Sequence, residues 1–266
     1  MPSTNPKHEP VRSVAQAIRL ARERREPIAP VRGDLGEHNI EAAYRVQALN
    51  AAIWCRDGRR RTGRKVGLTS LAVQRQLGVD QPDSGVLFDT MAVDSGGTIS
   101  AKSCMQPKVE AEVAFLIGRT LDREYLEHER LEDAVACAYP AIEVCDSAIQ
   151  DWRIGIVDTI ADNASSGFYA LGGPAAILDE VDLAGCTMRM EVNGSLASVG
   201  EGRACLGSPL HALRWLAETS AGLGDPLRAG EVVLSGALGP MVAVRPGDHV
   251  RAGIEQLGVV TVMFGD

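Results

Sequence analysis

The sequence predicts an α+β fold: a helical N-terminal part over 1–62, then a mixed, β-rich body over 63–266. Three observations carry this. Apolar residues recur at helical spacing through the first third. After Gly63 the texture changes to short, alternating, β-branched runs. The 28 glycines and an aromatic content of only 4% describe an aliphatic core with many tight turns. Strands follow strands in the body, which argues against a regular βαβ alternation.

Taken in order, Val11, Val14, Ala15, Ile18 and Ala21 form one apolar stripe, and Pro27 and Pro30 end that helix. Asn39 caps a second helix with the stripe Ala42, Val46, Leu49 and Ile53, which stops near Asp57-Gly58. Arg59 to Arg64 reads as a solvated basic loop. Lys65-Val66-Gly67-Leu68 reads as a short buried strand, and Ser70 caps a helix closed by Gly78. Pro82-Asp83-Ser84-Gly85 is turn chemistry before a strand from Gly85 to Phe88. Strands dominate from Val109, with one helix around Leu131 to Ala138. Met188, Met190 and Val192 alternate with polar residues and run into an Asn193-Gly194 hairpin turn. Ser208-Pro209 starts a helix that Gly222 or Gly224 ends. The tail reads as strands over Glu231 to Ser235, Met241 to Val244, His249 to Ile254 and Leu257 to Phe264. No internal repeat is present.

The 266 residues carry a net charge of −8 and are 45% hydrophobic, which suits a folded globular protein and disfavours disorder. No basic patch interleaved with aromatics supports a nucleic-acid partner. Residues 1–10 are polar, and no apolar run approaches the roughly 20 residues that span a bilayer, so no membrane partner is expected. Cys55, Cys104, Cys137, Cys145, Cys186 and Cys205 form no C-x-x-C pair. A cytoplasmic location with reduced thiols is the expectation.

The most informative stretch is Lys108-Val109-Glu110-Ala111-Glu112-Val113-Ala114-Phe115. On a strand, residues i and i+2 share a face, so Glu110 and Glu112 project together, roughly 6.5 Å apart. Val109, Ala111, Val113 and Phe115 take the other face. Two like charges on a half-buried surface need protonation, a cation or a metal. Lys108 lies on the same face as a candidate cation, and an exposed Lys–Glu face is the bland alternative. Glu143, in the apolar run 139–146, shares a face with Cys145 and also needs a partner. Three carboxylates without histidines form a hard, all-oxygen set suited to Mg²⁺ or Mn²⁺. By local sequence alone Lys65 reads as a snorkelling surface lysine. The run Asp158 to Gly167 reads equally as a capped loop or as a site.

These same residues carry a resemblance. Arg64-Lys65-Val66-Gly67-Leu68-Thr69-Ser70, Gln76 to Asp83, Gln106 to Glu112, Ile156 to Gly167 and Val233 to Pro240, in that order, resemble the 2-keto-4-pentenoate hydratase family of the fumarylacetoacetate hydrolase superfamily. The resemblance implies a β-roll or distorted-barrel body behind the N-terminal helices. It implies that Glu110, Glu112 and Glu143 bind Mg²⁺ or Mn²⁺, and that Lys65, Asp83 and Ser165 bind substrate and move protons. It implies hydration of a small 2-hydroxy-2,4-dienoate to a 4-hydroxy-2-keto acid in meta-cleavage degradation of aromatic compounds. It also implies a homo-oligomer, pentamer or decamer, with a pathway decarboxylase or aldolase as a candidate partner. Ser84 stands where many relatives carry an aromatic residue. The nearest rival is a metal-dependent 4-oxalocrotonate-type decarboxylase of the same fold, or its non-catalytic assembly partner. A carbon–carbon hydrolase of the wider superfamily is a further rival, disfavoured by the Glu112-to-Glu143 spacing.

Overall fold

The computed structural model describes residues 9–70, 74–75 and 81–266. Helix α1 spans Glu9–Arg24 and buries the expected stripe, Val11, Val14, Ala15, Ile18 and Ala21. A short turn of helix, α2 (Arg32–Leu35), leads to α3 (Ile40–Arg56), whose N-cap Asn39 accepts the Ala42 N–H at 3.1 Å. The buried face of α3 differs from the expectation. Gln47, Asn50 and Trp54 are buried with Ala42 and Val46, while Leu49 and Ile53 are only half-buried. An apolar-only stripe misplaces the face because polar side chains with partners are buried here: Gln47 Nε2 donates to the Ser84 and Ile160 carbonyls at 2.8 and 3.0 Å.

Among the described residues the body holds thirteen strands. β1 (Arg61–Gly67), β2 (Asp83–Phe88), β3 (Ala92–Asp94) and β4 (Thr98–Ser100) precede the two long strands β5 (Pro107–Ile117) and β6 (Val135–Asp146). β7 (Ser166–Leu171), β8 (Thr187–Val192), β9 (Ser195–Glu201), β10 (Val232–Ala237), β11 (Val242–Ala243), β12 (His249–Ile254) and β13 (Gly258–Gly265) complete them. Helix α4 (Arg123–His128) lies between β5 and β6, α5 (Ile156–Ala161) between β6 and β7, and α6 (Pro209–Gly222) between β9 and β10. The larger, curled sheet runs β2-β1-β10-β5-β6-β7-β3, with β11 on the start of β5; the smaller runs β4-β13-β12-β8-β9.

Alternation on β5 divides the interior in two. Val109, Ala111, Val113 and Phe115 face a core shared with Met188, Met190, Ala252, Val260 and Phe264 of the smaller sheet. Ala114 faces the other way, toward Ala141, Leu234 and Trp54 of α3. The glutamates of β5 therefore lie on the sheet face that the N-terminal helices cover. α1, α3 and α5 close this side around a separate cluster of Val14, Ile18, Val46 and Ile160.

Three expectations are corrected, and a fourth lies outside the described residues. Arg61 to Arg64 is strand, not loop, and Arg64 is buried with its guanidinium on Ser220 Oγ at 2.8 Å and Asp225. Asp83 and Ser84 belong to β2, because they pair with Gly67 and Val66. The helix around Leu131 to Ala138 is a single 3-10 turn at Leu131–Ala134, after which the chain enters β6, held by an 11-residue partner strand. A helix propensity loses there to the long antiparallel ladder. The helix capped by Ser70 and closed by Gly78 lies outside the described residues, apart from Gln74 and Arg75, which are helical.

Candidate metal and catalytic centre

β5 and β6 pair so that Glu110 stands directly opposite Glu143, with Glu112 one alternation further along β5. β1 is two strands from β5, and its Lys65 reaches Glu143 with Nζ 3.3 Å from Oε1. Both side chains are almost wholly buried. Lys65 is thus the cation of the site and not a surface lysine. Lys108, the candidate named from the local pattern, instead lies over the Trp152 ring, 4.3 Å from its centroid.

Burial by itself lowers the proton affinity of Lys65, but Glu143, Cys145, Asp83 and Glu110 together outweigh it and hold the ammonium well above the usual lysine range. The carboxyls respond in the opposite sense to an apolar surround. Burial first, and the adjacent Glu143 charge second, push Glu110 up to about 7 and Glu112 well above the usual carboxylate range. Glu112 Oε2 accepts the Gly236 N–H at 2.7 Å. That bond needs glycine: φ is +102° at Gly236, and a Cβ there would collide with the Thr69 side chain. The remaining Glu112 oxygen and both Glu143 oxygens are buried without a hydrogen-bond partner.

Asp83 enters from β2 beside Gly67, where any Cβ would strike its Oδ1. Thr159 Oγ1 donates to its Oδ2 at 3.0 Å. Burial raises the Asp83 carboxyl above its ordinary range, against the opposing pull of Lys65 and Thr159. Ser165 comes from the turn after α5, where Asn163, Ala164 and Ser165 all hold φ between +52° and +57°. Asn163 clamps this turn to β2 through two bonds with Val86, 2.8 Å to its N–H and 2.9 Å to its carbonyl. The Ser165 hydroxyl is buried with no partner. Such strained, unpaired groups persist where the surround over-determines them, and they cluster at functional sites.

Lys65, Asp83, Glu110 and Ser165 line one cavity of about 80 Å³, with Thr159 and Trp152 on its wall. Four of the six sequence-predicted residues thus line one cavity, Glu143 joins them through its ion pair with Lys65, and Glu112 stands one alternation along β5, outside the lining. Glu110, Glu143 and Cys145 also place one ligand atom each within 4.8 Å of one another, and Cys145 Sγ lies 3.7 Å from Glu110 Oε2. Cys145 and Thr159 are the site residues to which sequence reasoning assigned no role. The i, i+2 rule on β6 already put Cys145 beside Glu143; nothing in the sequence singled out Thr159. Ser84 faces Tyr44, whose phenol accepts its N–H at 3.2 Å, and among the described residues it does not line the cavity.

A curled mixed sheet with clustered carboxylates and a buried lysine on its helix-covered face has the architecture of an enzyme of the fumarylacetoacetate hydrolase type. Residues 61–264 match the family model described as fumarylacetoacetate (FAA) hydrolase C-terminal. The chain belongs to this family. It is 50% identical to 2-keto-4-pentenoate hydratase 2 of Dechloromonas aromatica (strain RCB), over 95% of this chain and 96% of that one. It is 38% identical to 2-hydroxyhexa-2,4-dienoate hydratase of Comamonas testosteroni, over 94% of each. Among solved structures, 4-oxalocrotonate decarboxylase from Pseudomonas putida G7, complexed with magnesium and adipate, superimposes with a TM-score of 0.91 at 32% identity, covering 98% of this chain and 99% of that one. Among the described residues no helix is long and apolar enough to cross a membrane.

Proposed function

We propose that the protein adds water to a 2-hydroxy-2,4-dienoate to give a 4-hydroxy-2-keto acid, as its hydratase relatives are named for doing. The observation that carries the site assignment is the set of buried carboxylate oxygens on Glu112 and Glu143 that accept no hydrogen bond, with Glu143 paired only to Lys65, which lines the pocket beside Asp83 and Glu110. Buried acceptors without donors fit a hard divalent cation. Glu110, Glu112 and Glu143 would hold Mg²⁺ or Mn²⁺, which would supply electron withdrawal from the substrate's C2 oxygen.

The chain's own groups do the rest. The dienol loses its hydroxyl proton and gains one at C5, giving a 2-keto-3-enoate. Water adds at C4, and a proton arrives at C3. Lys65, held charged, and Asp83, whose carboxyl burial raises above its ordinary range, move these protons; Thr159 fixes the Asp83 carboxyl. The free Ser165 hydroxyl orients substrate or water. Burial of the whole set excludes bulk water from competing for the same protons. The same reading includes a cytoplasmic homo-oligomer, pentamer or decamer, able to associate with a pathway decarboxylase or aldolase. Exposed Leu196 and Val199 on β9 offer apolar surface for such contacts.

The experiment is a purified-protein assay with Mg²⁺ or Mn²⁺ that follows loss of dienoate absorbance alongside carbon dioxide release. Hydration without carbon dioxide is expected, and turnover should fall about 10²-fold or more in Lys65→Ala. Carbon dioxide without hydration overturns the reading in favour of the decarboxylase. Wild-type kinetics in Lys65→Ala remove that lysine from the mechanism.

A further inference from the structure

On the far side of the Ser165 turn lies a second and larger cavity of about 530 Å³. Arg19, Arg22, Arg25 and Arg59 line it, together with Trp54 and Phe168. Arg22 is committed: it pairs with Asp162 at 2.7 Å and donates to the Ser166, Asp146 and Asp162 carbonyls. Arg19 donates to the Asn50 side chain at 2.5 Å. Arg25 donates to the Arg22 carbonyl, and Arg59 lies over the Trp54 ring, 5.4 Å from its centroid. Neither Arg25 nor Arg59 has a carboxylate within 4.0 Å among the described residues. The acids on the wall are mostly engaged elsewhere. Asp57 faces Arg56 at 3.7 Å, and Asp146 accepts N–H bonds from Met105 and Gln106; Glu23 is the third.

Two details show that this arrangement is held against its own cost. Arg25 is the residue after α1 and adopts φ +60°, while the next N–H, of Glu26, closes back to the Ala21 carbonyl at 3.0 Å. This is a helix-ending turn that glycine ordinarily occupies, and here an arginine takes it with its side chain at the cavity. Arg59 is exposed at the cavity mouth, yet desolvation first, then the Arg22 and Arg25 charges, pull its guanidinium below the usual range against the opposing charges of Asp57 and Asp89. Like charges converge on a roomy cavity that has an indole on one wall.

We propose that this second cavity binds a small organic anion, with a carboxylate or phosphate group against Arg25 and Arg59 and a flat apolar body against Trp54 and Phe168. Guanidinium groups pair bidentately with such oxyanions, and an aromatic wall beside them suits an unsaturated or aromatic body. The site is separate from the catalytic pocket, from which the Ser165–Gly167 segment divides it.

The test is calorimetric titration of the metal-loaded protein with benzoate as the probe. Saturable binding is expected. Arg59→Ala and Arg25→Gly should each weaken it about tenfold, Arg59→Lys less. Arg25→Gly places the residue that turn prefers and so keeps the fold, and dienoate turnover should stay within about twofold in both variants. Glu143→Gln should leave benzoate affinity unchanged. Displacement of benzoate by inorganic phosphate marks a phosphate-bearing ligand, and benzoate binding that phosphate does not disturb marks a carboxylate. Absence of saturable binding overturns the proposal. So does binding that survives Arg59→Ala and Arg25→Gly but is lost in Glu143→Gln, since the probe then lies in the catalytic pocket.

Discussion

Two groups of acids lie near each other on this fold and have opposite surroundings. Asp146, Asp158 and Asp162 are buried, yet the chain answers each of them. Asp158 accepts N–H bonds from Val31, Arg32 and Gly155 at 2.7–2.9 Å and pairs with the Arg32 guanidinium. Asp146 accepts from Met105 and Gln106, and Asp162 from Ala148 and Arg22. Glu112 and Glu143 are as deeply buried, but three of their four oxygens accept no hydrogen bond, and among the described residues only the Lys65 ammonium pairs with them, at Glu143 Oε1. On the proposed reading, unsatisfied acceptors and not burial set the metal-binding carboxylates Glu112 and Glu143 apart from the structural acids. An acid whose donors all come from the chain stitches loops together, and one that keeps acceptors free is waiting for a ligand.

The sharpest way to break this contrast is to neutralise one member of the unsatisfied group. Glu143→Gln should lower turnover by about 10³-fold or more, since it removes a cation ligand and the partner of Lys65 together. The fold should survive, because the amide needs no counter-charge and the Lys65 ammonium keeps the Asp83 and Glu110 carboxylates beside it. Added Mg²⁺ should raise the melting temperature of the wild type, by the equivalent of about 2.7 kcal/mol at a hundred times Kd, and leave that of the variant unmoved. An equal Mg²⁺ shift in both proteins would remove Glu143 from the metal site.

The reverse behaviour is expected of the satisfied group. Asp158→Ala strands three backbone N–H groups and the Arg32 charge, at a cost of about 2–4 kcal/mol. Chemical denaturation should show that loss, while kcat per folded molecule stays near wild type. A variant as stable as the parent but without activity would move Asp158 into the catalytic group.

Asp162 tests the boundary, because it is bonded and still costly. Burial, opposed by Arg22 and the Ala148 N–H, pushes its carboxyl up to about 6. In the unfolded chain it titrates near 4, so between about pH 4 and pH 6 the folded state binds more protons than the unfolded one. Stability from this group is then fullest below pH 4 and declines as pH rises to 6, with a slope of at most about 1.4 kcal/mol per pH unit. Asp162→Asn removes the titration, and urea midpoints across that range should lose this component of their slope. An unchanged slope would show that Arg22 keeps the carboxylate charged throughout.

The sequence alone made the in-strand half of this contrast legible. Strict alternation on β5 and β6 assigns Glu110, Glu112 and Glu143 to one side and Val109, Ala111 and Val113 to the core, as the structure has them. What stayed hidden depends on pairing between segments far apart in the chain. Lys65 meets Glu143 across the curled sheet, from β1 past β10 and β5 to β6, so local pattern pointed to Lys108. Gln47 and Asn50 were unreadable as core because a hydropathy stripe has no symbol for a satisfied polar group. The run holding Asp158 and Asp162 reads equally as a capped loop or as a site, since donors that settle their role come from Val31, Arg32, Arg22 and Ala148 on other segments.

Ser165 gives the finest division between the two groups. Its hydroxyl is buried and unpaired, like the glutamates, yet it sits in the turn that Asn163 and Asp162 hold in place, among the structural side chains. If satisfaction is the right criterion, Ser165→Ala removes no bond from the free protein. Stability should then stay within about 0.5 kcal/mol of wild type, and the left-handed backbone at 163–165 should be indifferent to the loss of one oxygen. Turnover should still fall about tenfold, or about 1.4 kcal/mol in the barrier, because the hydroxyl's only partner arrives with the substrate. A drop in stability with kcat and KM preserved would reverse the assignment: the hydroxyl would then belong with Asn163 and Asp162 as part of the turn, and an unpaired buried oxygen would cease to mark a ligand contact in this fold.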